Sequence, residues 1–199
     1  DMNGGPLVTG HCVGKLAGLA IHPEMPEFAT SGDDMTLRTW HLDTHKQLRI
    51  LRLDDMSRAL AYAPNGHLLA VGLGGDLVVG PRAGTVLDDA TLTPDHEIAR
   101  ELKSGTSPLD VVQISPSGDV LAAAAADASV VVYDCLHDFR VVCTARAAET
   151  VRFLDFSTDC TQMRACSTSG VFVFNAAKGD LLQEDQSQAW ASWTATSGN

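Results

Sequence analysis

The 199-residue sequence is short of aromatic residues (6%, with only two tyrosines), short of basic residues (14 Lys and Arg against 25 Asp and Glu), and has no closely spaced cysteine pair. Each shortage excludes something. A net charge of −11 at pH 7 leaves no basic stripe to neutralise phosphates, which argues against nucleic acid and against docking by general charge to anionic membranes. Five cysteines, Cys12, Cys135, Cys143, Cys160 and Cys166, are odd in number and scattered. They predict neither a disulfide framework nor a cysteine zinc site, but reduced, buried thiols packed as small hydrophobes. No apolar run is long enough to span a bilayer; the longest, Val120 to Val132, is broken by Asp127 and rich in alanine. Asp1-Met2-Asn3-Gly4-Gly5-Pro6 reads as a polar lead-in, so a cytoplasmic protein is the expectation. Helical periodicity is nearly missing too.

What is present is a succession of short β-branched and apolar runs between turn signals, which predicts an all-β chain. The pattern is plainest between Gly10 and His41. Gly10-His11 opens it, Ala17 to Ile21 reads as a strand, His22-Pro23 as a turn, and Glu27 to Ser31 as a second strand. Gly32-Asp33-Asp34 supplies the next turn, and Thr36 to Trp40 the third strand, with an outer strand near Gln47 to Leu51.

The unit recurs. Ala59 to Tyr62, the hairpin signal Asn65-Gly66 and Leu68 to Gly72 begin a second copy, whose third strand is either Asp76 to Val79 or Thr85 to Leu87. Residues 80–96, with Pro81, Pro94 and several aspartates, read as an insertion. Glu97 to Leu102 then suits an outer strand or a helical turn. A third copy runs through Asp110 to Ile114, Val120 to Ala124, Ser129 to Asp134 and Phe139 to Cys143; a fourth through Val151 to Phe156, Gln162 to Ser167, Gly170 to Asn175 and Asp180 to Gln183. Trp40, Tyr133 and Phe174 each end a third strand, and Asp127 precedes Tyr133 at the same offset as Asp34 precedes Trp40.

Repetition at about 40 residues with these marks resembles a WD-repeat β-propeller. The resemblance implies about four blades of four antiparallel strands, part of a larger ring. The divisions are 1–9 (outer strand of a preceding blade), 10–52, 53–104 with the insertion at 80–96, 105–146, 147–186, and 187–199 as the start of a further blade. Gly18-Leu19-Ala20-Ile21-His22-Pro23 after Gly10-His11 is similar to the echinoderm microtubule-associated protein-like family. So are Tyr62-Ala63-Pro64-Asn65-Gly66 with Leu69-Ala70-Val71-Gly72, and Trp190-Ala191-Ser192-Trp193-Thr194. Ala17 stands where that family usually carries Trp.

The resemblance also implies site residues. His11, Asp34, Trp40 and a strand hydroxyl (Thr30 or Ser31, here assigned to Ser31) resemble the hydrogen-bonded tetrad of WD blades. Its role is structural, since an imidazole both donates and accepts and such a buried chain stabilises when every member is satisfied. In the third blade, Asp127 and the closing pair Tyr133-Asp134 take the corresponding places. His41 and His45 lie on a turn with no third ligand near, so no metal is expected. Gly72, Gly74 and Gly75 lack the following helix and lysine of a phosphate cradle. Asp54-Asp55 and Asp88-Asp89 read as solvated turn carboxylates. No cofactor and no enzyme activity are expected. Arg82, Asp88, Asp89 and Asp95 mark the insertion as a candidate partner loop.

The family resemblance implies a non-catalytic protein-interaction scaffold of the cytoskeleton, with tubulin, microtubules or axonemal proteins as partners, in the cilium, axoneme or centriole. A generic WD-repeat adaptor in a ubiquitin-ligase or trafficking complex is the alternative.

Overall fold

A computed structural model describes residues 10–11, 14–81, 100–103, 105–183 and 188–192. It contains sixteen strands in four four-stranded antiparallel sheets, each with its strands in chain order. The first sheet is β1 (Leu16–Ile21), β2 (Glu27–Gly32), β3 (Thr36–His41) and β4 (Gln47–Arg52). The second is β5 (Ala59–Tyr62), β6 (Leu68–Gly72), β7 (Asp76–Pro81) and β8 (Arg100–Lys103). The third is β9 (Leu109–Ile114), β10 (Val120–Ala125), β11 (Ser129–Asp134) and β12 (Arg140–Arg146). The fourth is β13 (Phe153–Phe156), β14 (Gln162–Cys166), β15 (Val171–Asn175) and β16 (Leu181–Leu182). Successive first strands pack on one another, β1 on β5, β5 on β9 and β9 on β13, so they form the inner edge of an arc of blades. The chain is a partial WD β-propeller.

The core lies between sheets. Ala29 and Leu37 of the first sheet meet Leu60, Leu69 and Val71 of the second. Ala70, Leu77 and Val79 meet Val112, Leu121 and Ala123 of the third. Ala122, Val130 and Val132 on the other face of that sheet meet Phe156, Met163 and Phe174 of the fourth. Successive strand residues point to opposite faces, yet Ala122, Ala123 and Ala124 are all fully buried. A central strand sandwiched on both faces is therefore apolar throughout, and small alanines let the neighbouring sheets approach. This is the physical reason the Val120–Val132 run is so apolar.

In the second sheet one boundary moves and two open alternatives are resolved. Gly80 pairs with Leu69 and Pro81 with Leu68, so both belong to the third strand rather than to an insertion beginning at residue 80. With Asp76–Pro81 taking that place, Thr85 to Leu87 is not needed for it. Arg100–Lys103 pairs with β7 as an outer strand rather than a helical turn. Arg82, Asp88, Asp89 and Asp95 lie outside the described residues, as does Trp193. Residues 188–192 run antiparallel along the end of β13 through a single bridge between Ser157 and Trp190.

Candidate functional site

The turn between β2 and β3 is built to hold the chain that enters the first sheet. Asp33 accepts the Lys15 backbone N–H at 3.0 Å. Asp34 Oδ1 accepts His11 Nδ1–H at 2.7 Å, the Thr36 hydroxyl at 2.8 Å and the Thr36 backbone N–H at 3.2 Å. Arg38 Nη2 approaches its other oxygen at 3.3 Å. Burial raises the Asp34 pKa, but the hydrogen bonds from His11 and Thr36 outweigh it and leave the carboxyl below the usual 3.8. Met35 closes the turn at φ 55°, the left-handed third residue of a three-residue hairpin loop.

From Asp34 the polar chain runs inward. His11 Nε2 lies 2.9 Å from Thr30 Oγ1, which accepts the Trp40 indole N–H at 2.7 Å. The arrangement satisfies every member if Trp40 donates to Thr30, Thr30 to His11 Nε2, and His11 Nδ1–H to Asp34. The strand hydroxyl is thus Thr30 and not Ser31, which correction follows from the pleat. Trp40 pairs with Phe28, so Trp40 shares a face with Phe28 and Thr30, while Ser31 points to the opposite face. There Ser31 Oγ bonds Ser57 Oγ at 2.7 Å, tying the first sheet to the loop before the second. Phe28 stacks on Trp40 with ring centroids 6.3 Å apart.

The third sheet keeps only the ends of this chain. Asp127 accepts the Ser129 hydroxyl at 2.6 Å and its backbone N–H at 3.0 Å, and those two bonds hold its carboxyl below the usual range. Tyr133 fills the closing aromatic position, almost wholly buried against the second sheet. Leu121 pairs with Tyr133 as Phe28 pairs with Trp40, so Ala123 occupies the place of Thr30 and no hydroxyl relay is possible there. Asp134 does a different job. Its Oδ1 accepts the N–H groups of Leu136 and His137 at 3.0 and 3.1 Å, while His137 and Arg140 bind Oδ2. Asn175 caps its turn in the same way through Ala177 and Lys178, and His41 Nδ1 does so through Asp43 and Thr44. The residue after the closing aromatic is a turn cap that any short acceptor can fill, which is why His, Asp and Asn interchange there. His41 Nδ1 is committed to that cap.

Two further constellations are absent from the sequence reading. His22 Nδ1 accepts the Glu24 and Met25 N–H groups, and its Nε2–H donates to the Gly66 carbonyl at 3.2 Å, so the turn of the first sheet is bolted to that of the second. In the fourth sheet Asp155, with no exposed surface, pairs with Arg164 at 2.9 Å across β13 and β14. Arg164 Nη2 also donates to the Ser192 carbonyl at 2.7 Å, the Ser192 N–H donates to Asp155 at 3.1 Å, and the guanidinium lies 4.5 Å from the Trp190 ring centroid. The pair pins residues 190–192 against the fourth sheet. Only a cross-strand register reveals it, since the two residues sit nine apart in apolar runs. Cys135, Cys143, Cys160 and Cys166 are free, and burial pushes the Cys135 thiol up to about 12. Among the described residues no three His, Cys, Asp or Glu side chains gather as metal ligands, and no helix is long and apolar enough to cross a membrane.

The family profile described as the echinoderm microtubule-associated protein second beta-propeller matches residues 16–199. The chain belongs to that family. Among curated relatives, echinoderm microtubule-associated protein-like 2 of Homo sapiens is 31% identical over 184 residues, covering 90% of this chain and 25% of the human protein. The 77 kDa echinoderm microtubule-associated protein of Strongylocentrotus purpuratus is 25% identical over 96% of this chain and 28% of its own length. Cilia- and flagella-associated protein 43 of Chlamydomonas reinhardtii is 35% identical over 62% of this chain and 8% of its own length. This echinoderm microtubule-associated protein propeller thus spans about a quarter of the length of the microtubule-associated relatives it matches.

Proposed function

We propose that this chain is a non-catalytic interaction scaffold of a microtubule-associated protein, working on the cytoskeleton and, more finely, in the axoneme or centriole. The observation that carries the reading is the family match across residues 16–199, with relatives named for microtubules and for cilia and flagella. The best-placed titratable groups support the non-catalytic half. His11 and Asp34 spend their bonds on each other, on Thr30 and on Thr36, and Asp155 spends its bonds on Arg164 and backbone N–H groups. A general base needs a free lone pair within reach of a substrate proton, and these groups have theirs engaged.

The partners on this reading are proteins, tubulin or axonemal components, met by loops and rim rather than by a catalytic cleft. Imaging of the tagged full-length protein in ciliated cells tests it. Signal on microtubules or axonemes that disperses when microtubules are depolymerised is the expected result. A signal indifferent to depolymerisation and coincident with ubiquitin-ligase or trafficking assemblies would overturn it in favour of a generic adaptor.

A further inference from the structure

The chain is acidic overall, yet the outermost strands of its first three sheets are not. The outermost strands of the first three sheets carry Arg49 and Arg52 (β4), Arg100 and Lys103 (β8), and Arg140 and Arg146 (β12), with Glu101 as the sole acid among them. The stretch His45-Lys46-Gln47-Leu48-Arg49-Ile50-Leu51-Arg52 contains no acid at all, in a chain with 25 Asp and Glu against 14 Lys and Arg. Among the described residues strand β4 is last in its sheet and its ladder runs along β3 alone, which leaves its other side as a sheet edge. Lys46 and Arg52, both exposed, make no ion pair among the described residues; elsewhere Arg38, Arg140 and Arg164 are each held by an aspartate.

From this juxtaposition we infer that the β4 edge is a docking rail for an extended acidic segment of a partner protein, which adds to the first sheet as a further strand. The inference rests on the scaffold reading and names its surface. Three arguments select the occupant. An open strand edge offers alternating donors and acceptors, which match a peptide backbone and not a phosphodiester one. Opposite charges facing each other across strands attract, and like charges repel; the cations that keep a second copy of this edge away invite a segment of the other sign. Finally, the two exposed cations flank the strand, Lys46 just before Gln47 and Arg52 at its end, so a segment that carries acids along its length meets both. Leu48 and Ile50, half-buried between the cations, add apolar contact.

The test is fluorescence anisotropy of a labelled, unstructured peptide of alternating Glu-Glu and Val with the full-length protein, across a salt series. Saturable binding that weakens as salt rises is expected. The charge-reversed Lys46→Glu/Arg52→Glu variant should bind at least about tenfold more weakly, with an unchanged unfolding midpoint since both side chains are exposed. The Lys46→Arg/Arg52→Lys variant should bind as the wild type does. A peptide N-methylated at alternate residues, with charge intact and ladder blocked, should also bind more weakly. Equal binding by the charge-reversed variant, equal binding of the N-methylated peptide, or tighter binding of a single-stranded oligonucleotide or of phosphatidylserine vesicles would each overturn the inference. If the tagged protein ignores microtubules while charge reversal abolishes peptide binding, the scaffold reading fails and the docking rail stands.

Discussion

The Trp40 indole N–H and Thr30 Oγ1 meet at 2.7 Å between neighbouring strands, and through that hydroxyl the last residues of β3 are joined to His11 and to the turn carboxylate of Asp34. The relay fastens three separate pieces of chain: the segment before β1, strand β2, and the β2–β3 turn with β3. The His11 and Asp34 side chains are 7% and 10% exposed, so water competes weakly for their bonds. Removing the shared hydroxyl while keeping its volume, by Thr30→Val, strands the indole N–H and His11 Nε2. Each buried polar group left unpaired costs about 1–3 kcal/mol; Thr30→Val strands two, whereas Ser31→Ala strands one, the fully buried Ser57 hydroxyl, and so costs less. Urea unfolding of both variants checks the order, and a Ser31 loss exceeding the Thr30 loss would contradict it.

Asp34 also sets an acid limb. Its folded pKa lies below the unfolded 3.8, so the contribution is fully present above that value and is lost as pH falls through the lowered folded pKa. In Asp34→Asn, stability between neutral pH and that window should be lower, and the fall on acidification shallower. Unfolding midpoints measured from pH 6 downward, roughly the span over which carboxylates titrate, report both slopes.

Asp159 gives a residue-level check. Hydrogen bonds from the Ser157 hydroxyl and from the backbone and side chain of Thr161 hold its pKa to about 2. Carboxyl-carbon NMR titration should find it ionised well below the point where ordinary aspartates have protonated, and Ser157→Ala should raise its pKa.

The fold was legible because its signals are local. Asn65-Gly66, Pro116-Ser117-Gly118, the Asp-bearing turns and the closing aromatics Trp40, Tyr133 and Phe174 each announce a strand end within a few residues. The choice between Thr30 and Ser31 needed the parity of a strand pairing. The third strand of the second sheet was ambiguous because Gly80 stands where the others carry an aromatic, so the usual stop mark is missing. Asp155 and Arg164 were illegible for a different reason: each looks like an isolated charge in an apolar run, and only the β13–β14 register makes them a pair. The rim cations are visible in the sequence, but topology is what gathers them on outer strands.

That buried pair predicts an asymmetry. Arg164→Met leaves Asp155 charged and enclosed, at a cost of about 3–5 kcal/mol. Asp155→Leu combined with Arg164→Met should recover most of it while freeing residues 190–192, which lose both the guanidinium donor to the Ser192 carbonyl and the Asp155 acceptor of its N–H. Chemical denaturation reads the first effect, and proteolysis near Trp190 the second.

The turns predict a stabilising change. Gly66, Gly118 and Cys160 occupy the same turn position, each donating its N–H to the residue three before, with φ of 70°, 81° and 59°. Cysteine is strained in that left-handed region, so Cys160→Gly should raise stability by about 1 kcal/mol. Gly66→Ala should do the reverse, since its Cβ would run into the His22 ring. Thermal melts of the two variants should move in opposite directions.

The most direct test of the account is co-sedimentation of the full-length protein with polymerised microtubules across a salt series, with Thr30→Val, Lys46→Glu/Arg52→Glu and the wild type side by side. Pelleting should weaken as salt rises, fall with the rim reversal, and survive Thr30→Val wherever that variant remains folded. Failure of the wild type to pellet at any salt would contradict direct microtubule association.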